Sequence, residues 1–299
     1  MKHLLHILKE KPKNPSELIS FYCILHQPNL CAKSAILNDT LHKVISIVNY
    51  IRANATKHRQ FRSMLMMDDE VISVDFPYHS KVRWLSQAKV LVKIVSLRKQ
   101  IIDFFKGNNK HCDLSGPNFY RDVAFSCDVI SKQNELNISL QGRNKSIYDM
   151  WQKIQAFRKK LFFNFLLAKS KLSEEYFPQF TKVMSENEDI SESFEVYKSV
   201  LDLLVEEYNK RFSDFEKHNI TLKLAIQPHL VDVPKAPEKL QMELIEMSED
   251  DILKSQFDNK DDPFEILKKA IEYPGFVNMH ADKFPAFLQH TVANPHSST

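Results

Sequence analysis

The amino-acid sequence predicts a mainly α-helical protein, and three observations carry that expectation. Only 4 residues are Gly against 21 Phe, so hairpin turns and phosphate-cradling loops have little to be built from, while the aromatic supply suits helix packing. Apolar residues recur at three- and four-residue spacing over most of the chain. The apolar share of 43% and charged share of 26% in 299 residues are those of an ordinary globular chain, long enough for one large or two modest domains.

Taken in order, Met1 to Glu10 reads as a short amphipathic helix (Leu4, Leu5, Ile7, Leu8), stopped by the prolines between Lys11 and Pro15. Leu18 to Leu25 is a mostly apolar run whose length and aromatic content suit a buried strand better than a helix, with His26 at its end. From Asp39, Leu41, Val44, Ile45, Val48 and Ile51 mark a helix, followed by Phe61 and Leu65. Val71 to Trp84 reads as extended, because Pro77 disfavours a helix before it. Ser86 then starts a helix through Phe105, closed by Gly107-Asn108-Asn109 in the manner of a C-cap.

Pro117 opens a further helix to Leu140, as proline suits a first helical turn. Long helices follow over Ile147 to Leu172 and Asp189 to Phe215. Their apolar stripes need one another, so a bundle is expected. Gln227 to Pro237 holds three prolines and reads as a linker or a draped segment. Glu238 to Phe257 reads as an acidic amphipathic helix and Phe264 to Ile271 as one more. After Tyr273-Pro274-Gly275 the pattern fades. The domains are therefore set at 1–38, 39–226 and 227–299.

A net charge of +3 from 41 basic and 38 acidic residues is not the footprint of a protein that coats nucleic acid non-specifically. Cys23, Cys31, Cys112 and Cys127 sit at irregular spacing among apolar residues, so reduced thiols in cytosol or nucleus are expected rather than disulfides. No uncharged apolar run approaches the ~20 residues needed to cross a bilayer, so no membrane partner is expected.

Cys23-x-x-His26 has the spacing of two zinc ligands, yet a closed site needs four. A buried strand thiol beside a hydrogen-bonded histidine accounts for the pair as well, and a Cys-His nucleophilic pair is a third reading. His58-Arg59 beside Phe61, and Arg83-Trp84, are basic-aromatic pairs suited to stacking on a base and touching phosphate. The alternative is a core-capping Trp84 with a surface ion pair at Arg83. Arg143 to Lys171 contains one acid, Asp149, and centres on Arg158-Lys159-Lys160. Such a helix suits a phosphate backbone, or a solvated face paired with the acid-rich helix that follows. No cofactor is expected, since no P-loop, GxSxG, HExxH or dinucleotide turn occurs.

Phe21 to Lys33, Val82 to Ala88 and the intervening Lys57-His58-Arg59-Gln60-Phe61 together resemble the hAT-superfamily transposase-derived proteins. The likeness is nearest to the general transcription factor II-I repeat domain-containing protein 2 group and the domesticated BED-finger proteins. The resemblance implies a large helical insertion domain with a truncated RNase H-like α/β remnant at the N-terminus. It matches Cys23 and His26 to the family's Cys-x-x-His motif, and Arg83-Trp84 to a motif of DNA-end handling. The family's three metal-binding acids have no counterpart, because Asp-Gly-Ala does not precede Cys23 and Cys-Glu-x-x-Phe-Ser does not follow Leu240 to Leu244. Two-metal catalysis needs those ligands. The implied protein is therefore catalytically inactive and nuclear, with DNA, protein partners or a second copy as its contacts. Alternatives are a truncated relic without a role and a Cys/His enzyme.

Overall fold

The computed structural model describes residues 21–34, 37–68, 84–142, 145–167, 174–186, 194–259, 266 and 269–283. It is mainly helical, and no strand occurs among the described residues. The chain divides into two compact units, Cys23–Lys145 with Gln152–Phe212, and Met1–Tyr22 with Ser146–Trp151 and Ser213–Thr299.

The first unit begins with α1 (Gln27–Ser34), α2 (Asn38–Arg52) and α3 (Ala55–Met66). Asn54 caps α3, its side-chain oxygen accepting the Lys57 amide at 2.8 Å. Next come α4 (Trp84–Ser96), α5 (Arg98–Gly107) and a 3₁₀ turn at Asp113–Ser115. The long α6 (Pro117–Leu140) leads to α7 (Ile147–Leu167), α8 (Pro178–Ser185) and α9 (Phe194–Arg211).

The unit is built around α6. Val123 through Ile130 are all buried, and eight consecutive residues of a helix face every direction around its axis. Helices α1, α2, α4 and α8 pack on it. The core joins Val44, Ile51, Phe61, Leu91, Ile94, Ile101 and Phe104 to Val123, Cys127 and Ile130, each large side chain contributing about 1.5–3 kcal/mol on full burial. A second layer of rings surrounds Phe125, whose centroid lies 4.6 Å from Tyr197, 5.7 Å from Phe180 and 5.9 Å from Phe177.

A helix so enclosed also carries polar groups inward, and most have a partner, the buried Ser126 hydroxyl being an exception. Arg121 Nε donates to the Tyr197 hydroxyl at 2.8 Å, and that hydroxyl donates to Asp122. Asn137 donates to Asn29 on α1 at 2.6 Å, and Gln133 accepts from the Tyr208 hydroxyl on α9 at 2.8 Å. Asp128 accepts the Gln179 and Phe180 amides at 3.3 and 2.9 Å, capping the first turn of α8. Lys145 closes the other end of α6 by donating to the Ser139 and Gln141 carbonyls.

The second unit holds α10 (Ser213–Lys217), α11 (Asn219–Ile226), 3₁₀ turns at Pro228–Leu230 and Val233–Lys235, α12 (Glu238–Glu249), α13 (Asp251–Asn259), a 3₁₀ turn at Ala270–Glu272 and α14 (Pro274–Lys283). Leu240, Leu244, Met247, Leu253, Phe257, Phe276 and Val277 form its core. Glu243 on α12 accepts the Gly275 and Phe276 amides, both at 2.8 Å, and so caps α14. Trp151 Nε1 donates to Asn219 at 2.9 Å over the ring of Phe215.

Several expectations are corrected. The strand over Leu18 to Leu25 is absent from its described part, where 21–23 are irregular and 24–26 form a turn into α1. Ile24, Gln27, Pro28, Cys31 and Ala32 are the buried positions, which is a helical and not a strand period. The RNase H-like remnant over 1–38 accordingly has no support. The single helix from Ser86 to Phe105 starts at Trp84 and breaks at Leu97, where Ser96 bonds back to the Lys93 carbonyl at 3.1 Å. Its closing residue is Asn109, at φ 54, with the Lys110 amide reaching the Phe105 carbonyl at 2.9 Å. Glu238 to Phe257 is two helices, with Asp250 capping the second through the Leu253 amide. The proline segment is no loose linker, since Pro228, Val231 and Ala236 are buried. A helix, α14, follows Tyr273 where the pattern had faded. Met1 to Glu10 lies outside the described residues, as does Val71 to Arg83.

Candidate functional site

The first unit carries a groove of about 640 Å³ between the C-terminal half of α6 and one face of α7. Lys132, Glu135, Leu136 and Ser139 line one wall, Lys153, Ala156, Phe157, Lys160 and Phe163 the other, and Glu175 and Tyr176 one end. Helical spacing explains the lining. Residues 132, 135, 136 and 139 share one face of α6, and 153, 156, 157, 160 and 163 share one face of α7.

The base of the groove is apolar, since Leu136 and Phe157 are buried. Its rim holds an exposed ring, since Phe163 is 61% exposed. Lys132 sits between Glu135, 3.3 Å from its ammonium, and the ring of Tyr176, 5.3 Å away. Burial, with Glu135 adding to it, holds the Tyr176 phenol above its usual range. The Ser139 hydroxyl is engaged with the Leu136 carbonyl at 2.8 Å. The arrangement offers ammonium groups, an aromatic ring at the rim and an apolar floor.

A smaller cavity of about 230 Å³ adjoins it, lined by Val92, Val95, Cys127, Asp128, Ser131 and Pro178 among others. Burial raises the Asp128 carboxyl to about 6 against the opposing pull of the Phe180 and Gln179 amides. This carboxylate is committed to α8. Burial also pushes the Cys31 and Cys127 thiols up to about 12 and raises that of Cys112, which removes them as nucleophiles near neutral pH.

The residues singled out in the sequence are only partly assembled. Lys160 lines the groove and Lys159 is exposed beside it, whereas Arg158 donates to Asn209 on α9 at 2.6 Å. That bond, with Phe157 against Tyr208 at 5.5 Å, shows that the basic helix does pack against the acid-rich one. His58 and Arg59 lie on α3, half-buried and exposed respectively, and are not groove residues. Trp84 is the first residue of α4, its side chain outside the described residues, as is Arg83. Cys23 and His26 are both exposed, at the two ends of a turn closed by the His26 amide on the Cys23 carbonyl at 3.0 Å. The described residues contain no group of three His, Cys, Asp or Glu able to hold a metal ion.

Sequence reasoning missed Lys132, Lys153, Phe163 and Tyr176 as groove residues. The signal was available. Ile154, Phe157 and Leu161 define the inward face, and residues 162 and 163 are rotated about 100° and 200° from Leu161.

Fold and groove together define an α-helical module with an apolar-floored surface groove. The family model described as the FAM200/GTF2IRD2 helical domain matches residues 22–171, and the chain belongs to that family. Curated relatives include general transcription factor II-I repeat domain-containing protein 2 of Bos taurus, 31% identical over 246 residues, and its Mus musculus namesake, 27% identical over 245. Each alignment covers 81% of this chain and 25% of the relative, so the chain spans about a quarter of their length. No solved structure matches. Among the described residues, no helix is long and apolar enough to cross a membrane.

Proposed function

We propose that the chain is a partner-binding helical module of a nuclear, transcription-related protein, descended from a hAT transposase and without strand-transfer chemistry of its own. The relatives' name supports the transcriptional setting. The likeness at Cys23, His26, Arg83 and Trp84 supports the transposase descent. The observation that carries the binding role is the α6–α7 groove, where the exposed ring of Phe163 stands beside the buried Leu136 and Phe157. Exposed rings beside a preformed apolar floor are what anchors a partner.

Two measurements test it. Purified protein with Mg²⁺ or Mn²⁺ is expected to leave supercoiled DNA uncut, and robust nicking would refute the inactive reading. Selection of peptides from a random library is expected to enrich sequences that Phe163→Glu no longer retains. Enrichment indifferent to that substitution would remove the groove from the function. DNA association through Arg59, Lys159 and Lys160 is the competing outcome, read as a steep fall of affinity with salt.

A further inference from the structure

We propose that the α6–α7 groove takes an acidic amphipathic helix of a partner protein. This rests on the binding role just assigned and names the chemistry of the occupant. The first argument is dimension. From Lys153 to Phe163 the α7 wall rises about 15 Å, about three helical turns. A docked helix of that length presents anchors at i, i+4 and i+7 along one face. Leu136, Phe157 and Phe163 form an apolar track for such anchors.

The second argument is charge. From Gln152 to Phe163, α7 carries Lys153, Arg158, Lys159 and Lys160 and no acid. The groove lining itself sets Lys132, Lys153 and Lys160 against Glu175 and against Glu135, which faces Lys132 at 3.3 Å and is partly neutralised by it, so cations prevail. The field over the groove therefore favours carboxylates on the outer flanks of a ligand whose inner face is apolar.

The third argument sets aside nucleic acid. The α7 guanidinium, the group best matched to phosphate geometry, is held by Asn209 on α9 at 2.6 Å. The groove's own cations are lysines around an apolar floor.

The probe is a fluorescein-labelled peptide of about 15 residues, with Leu or Phe at i, i+4 and i+7 and Glu elsewhere. Controls are the same peptide with Lys for Glu and an oligo-dT strand of about 20 nucleotides. Anisotropy is expected to show saturable binding of the acidic peptide, weakened about tenfold by Lys153→Glu with Lys160→Glu. The lysine peptide is expected to bind that double variant better than the wild type, a charge swap that misfolding does not produce. Binding of the lysine peptide alone to the wild type would overturn the acidic assignment and leave the binding role standing. If neither peptide binds but oligo-dT does, and charge reversal abolishes it, both are overturned. Concentration-dependent self-association lost in both Lys153→Glu/Lys160→Glu and Glu246→Lys/Glu249→Lys, the latter pair being exposed acids of this chain's own α12, would make the occupant a second copy and overturn the partner assignment.

Discussion

Asp128 gives the sharpest test of the packing argument. It is buried on α6 and accepts the Gln179 and Phe180 amides of α8 at 3.3 and 2.9 Å. Its folded carboxyl titrates at about 6 against 3.8 in the open chain, because burial outweighs the two amide bonds. The folded state thus holds the proton more tightly than the unfolded one. Stability from this group is full at acid pH and falls as pH rises from about 4 to about 6. The whole shift corresponds to about 3 kcal/mol, of which about 1.4 remains to be lost between about pH 5 and about pH 7.5. Asp128→Asn keeps an acceptor for α8 and removes the charge. Protection of α8 amides from hydrogen exchange, corrected for intrinsic rate, is expected to weaken in the wild type over that interval and to stay level in the variant. An equal slope in both proteins would refute the assignment, and so would exchange that slows as pH rises.

Three further outcomes follow from individual contacts. Tyr208→Phe leaves the buried Gln133 without its 2.8 Å partner and is expected to cost about 1–3 kcal/mol; adding Gln133→Leu should recover much of it in urea unfolding. His280 is buried against Phe276, and burial lowers its pKa from 6.5 to about 4, so the second unit should lose stability as pH falls through that window; His280→Leu should flatten the acid limb in α14 exchange. A Cβ at Gly275 would stand 2.9 Å from Glu243 Oε1 and 3.1 Å from Leu240, so Gly275→Ala should dislodge the α14 cap and cost about 0.5–2 kcal/mol, read as a lowered melting temperature.

The helices visible in the sequence were those whose period ran long and whose ends carried punctuation. Pro117 and Leu140 bound α6 as expected because proline fits the first turn and the apolar positions persist for 24 residues. What failed was short or locally mixed. Leu18 to Leu25 is apolar enough for either a strand or a helix, and the deciding burial of Gln27 and Pro28 is tertiary. Asp128 stood out only as a lone acid between Cys127 and Val129, since its reason, the start of α8, lies 51 residues away. The groove was hidden for a similar reason. Lys132 and Lys153 carry no local mark of a groove, and only the packing of α6 and α7 sets them on one cleft.

The polar residues of α6 explain why that cleft is preformed. An apolar rod would let neighbouring helices slide or rotate at little cost, because hydrophobic contact has no direction. Here Asn137 fixes α1 through Asn29, Asp128 fixes the start of α8, and Arg121 and Gln133 fix α9 through Tyr197 and Tyr208. Tyr208 in turn packs its ring on Phe157 of α7, and Asn209 holds Arg158 one residue along. The position of α7 is therefore inherited from α6 through α9, by directional bonds that break if either helix shifts by a turn. A wall held in this way keeps Phe163 and Lys160 facing the groove before any partner arrives. The ordering entropy that binding would otherwise cost has been met in folding.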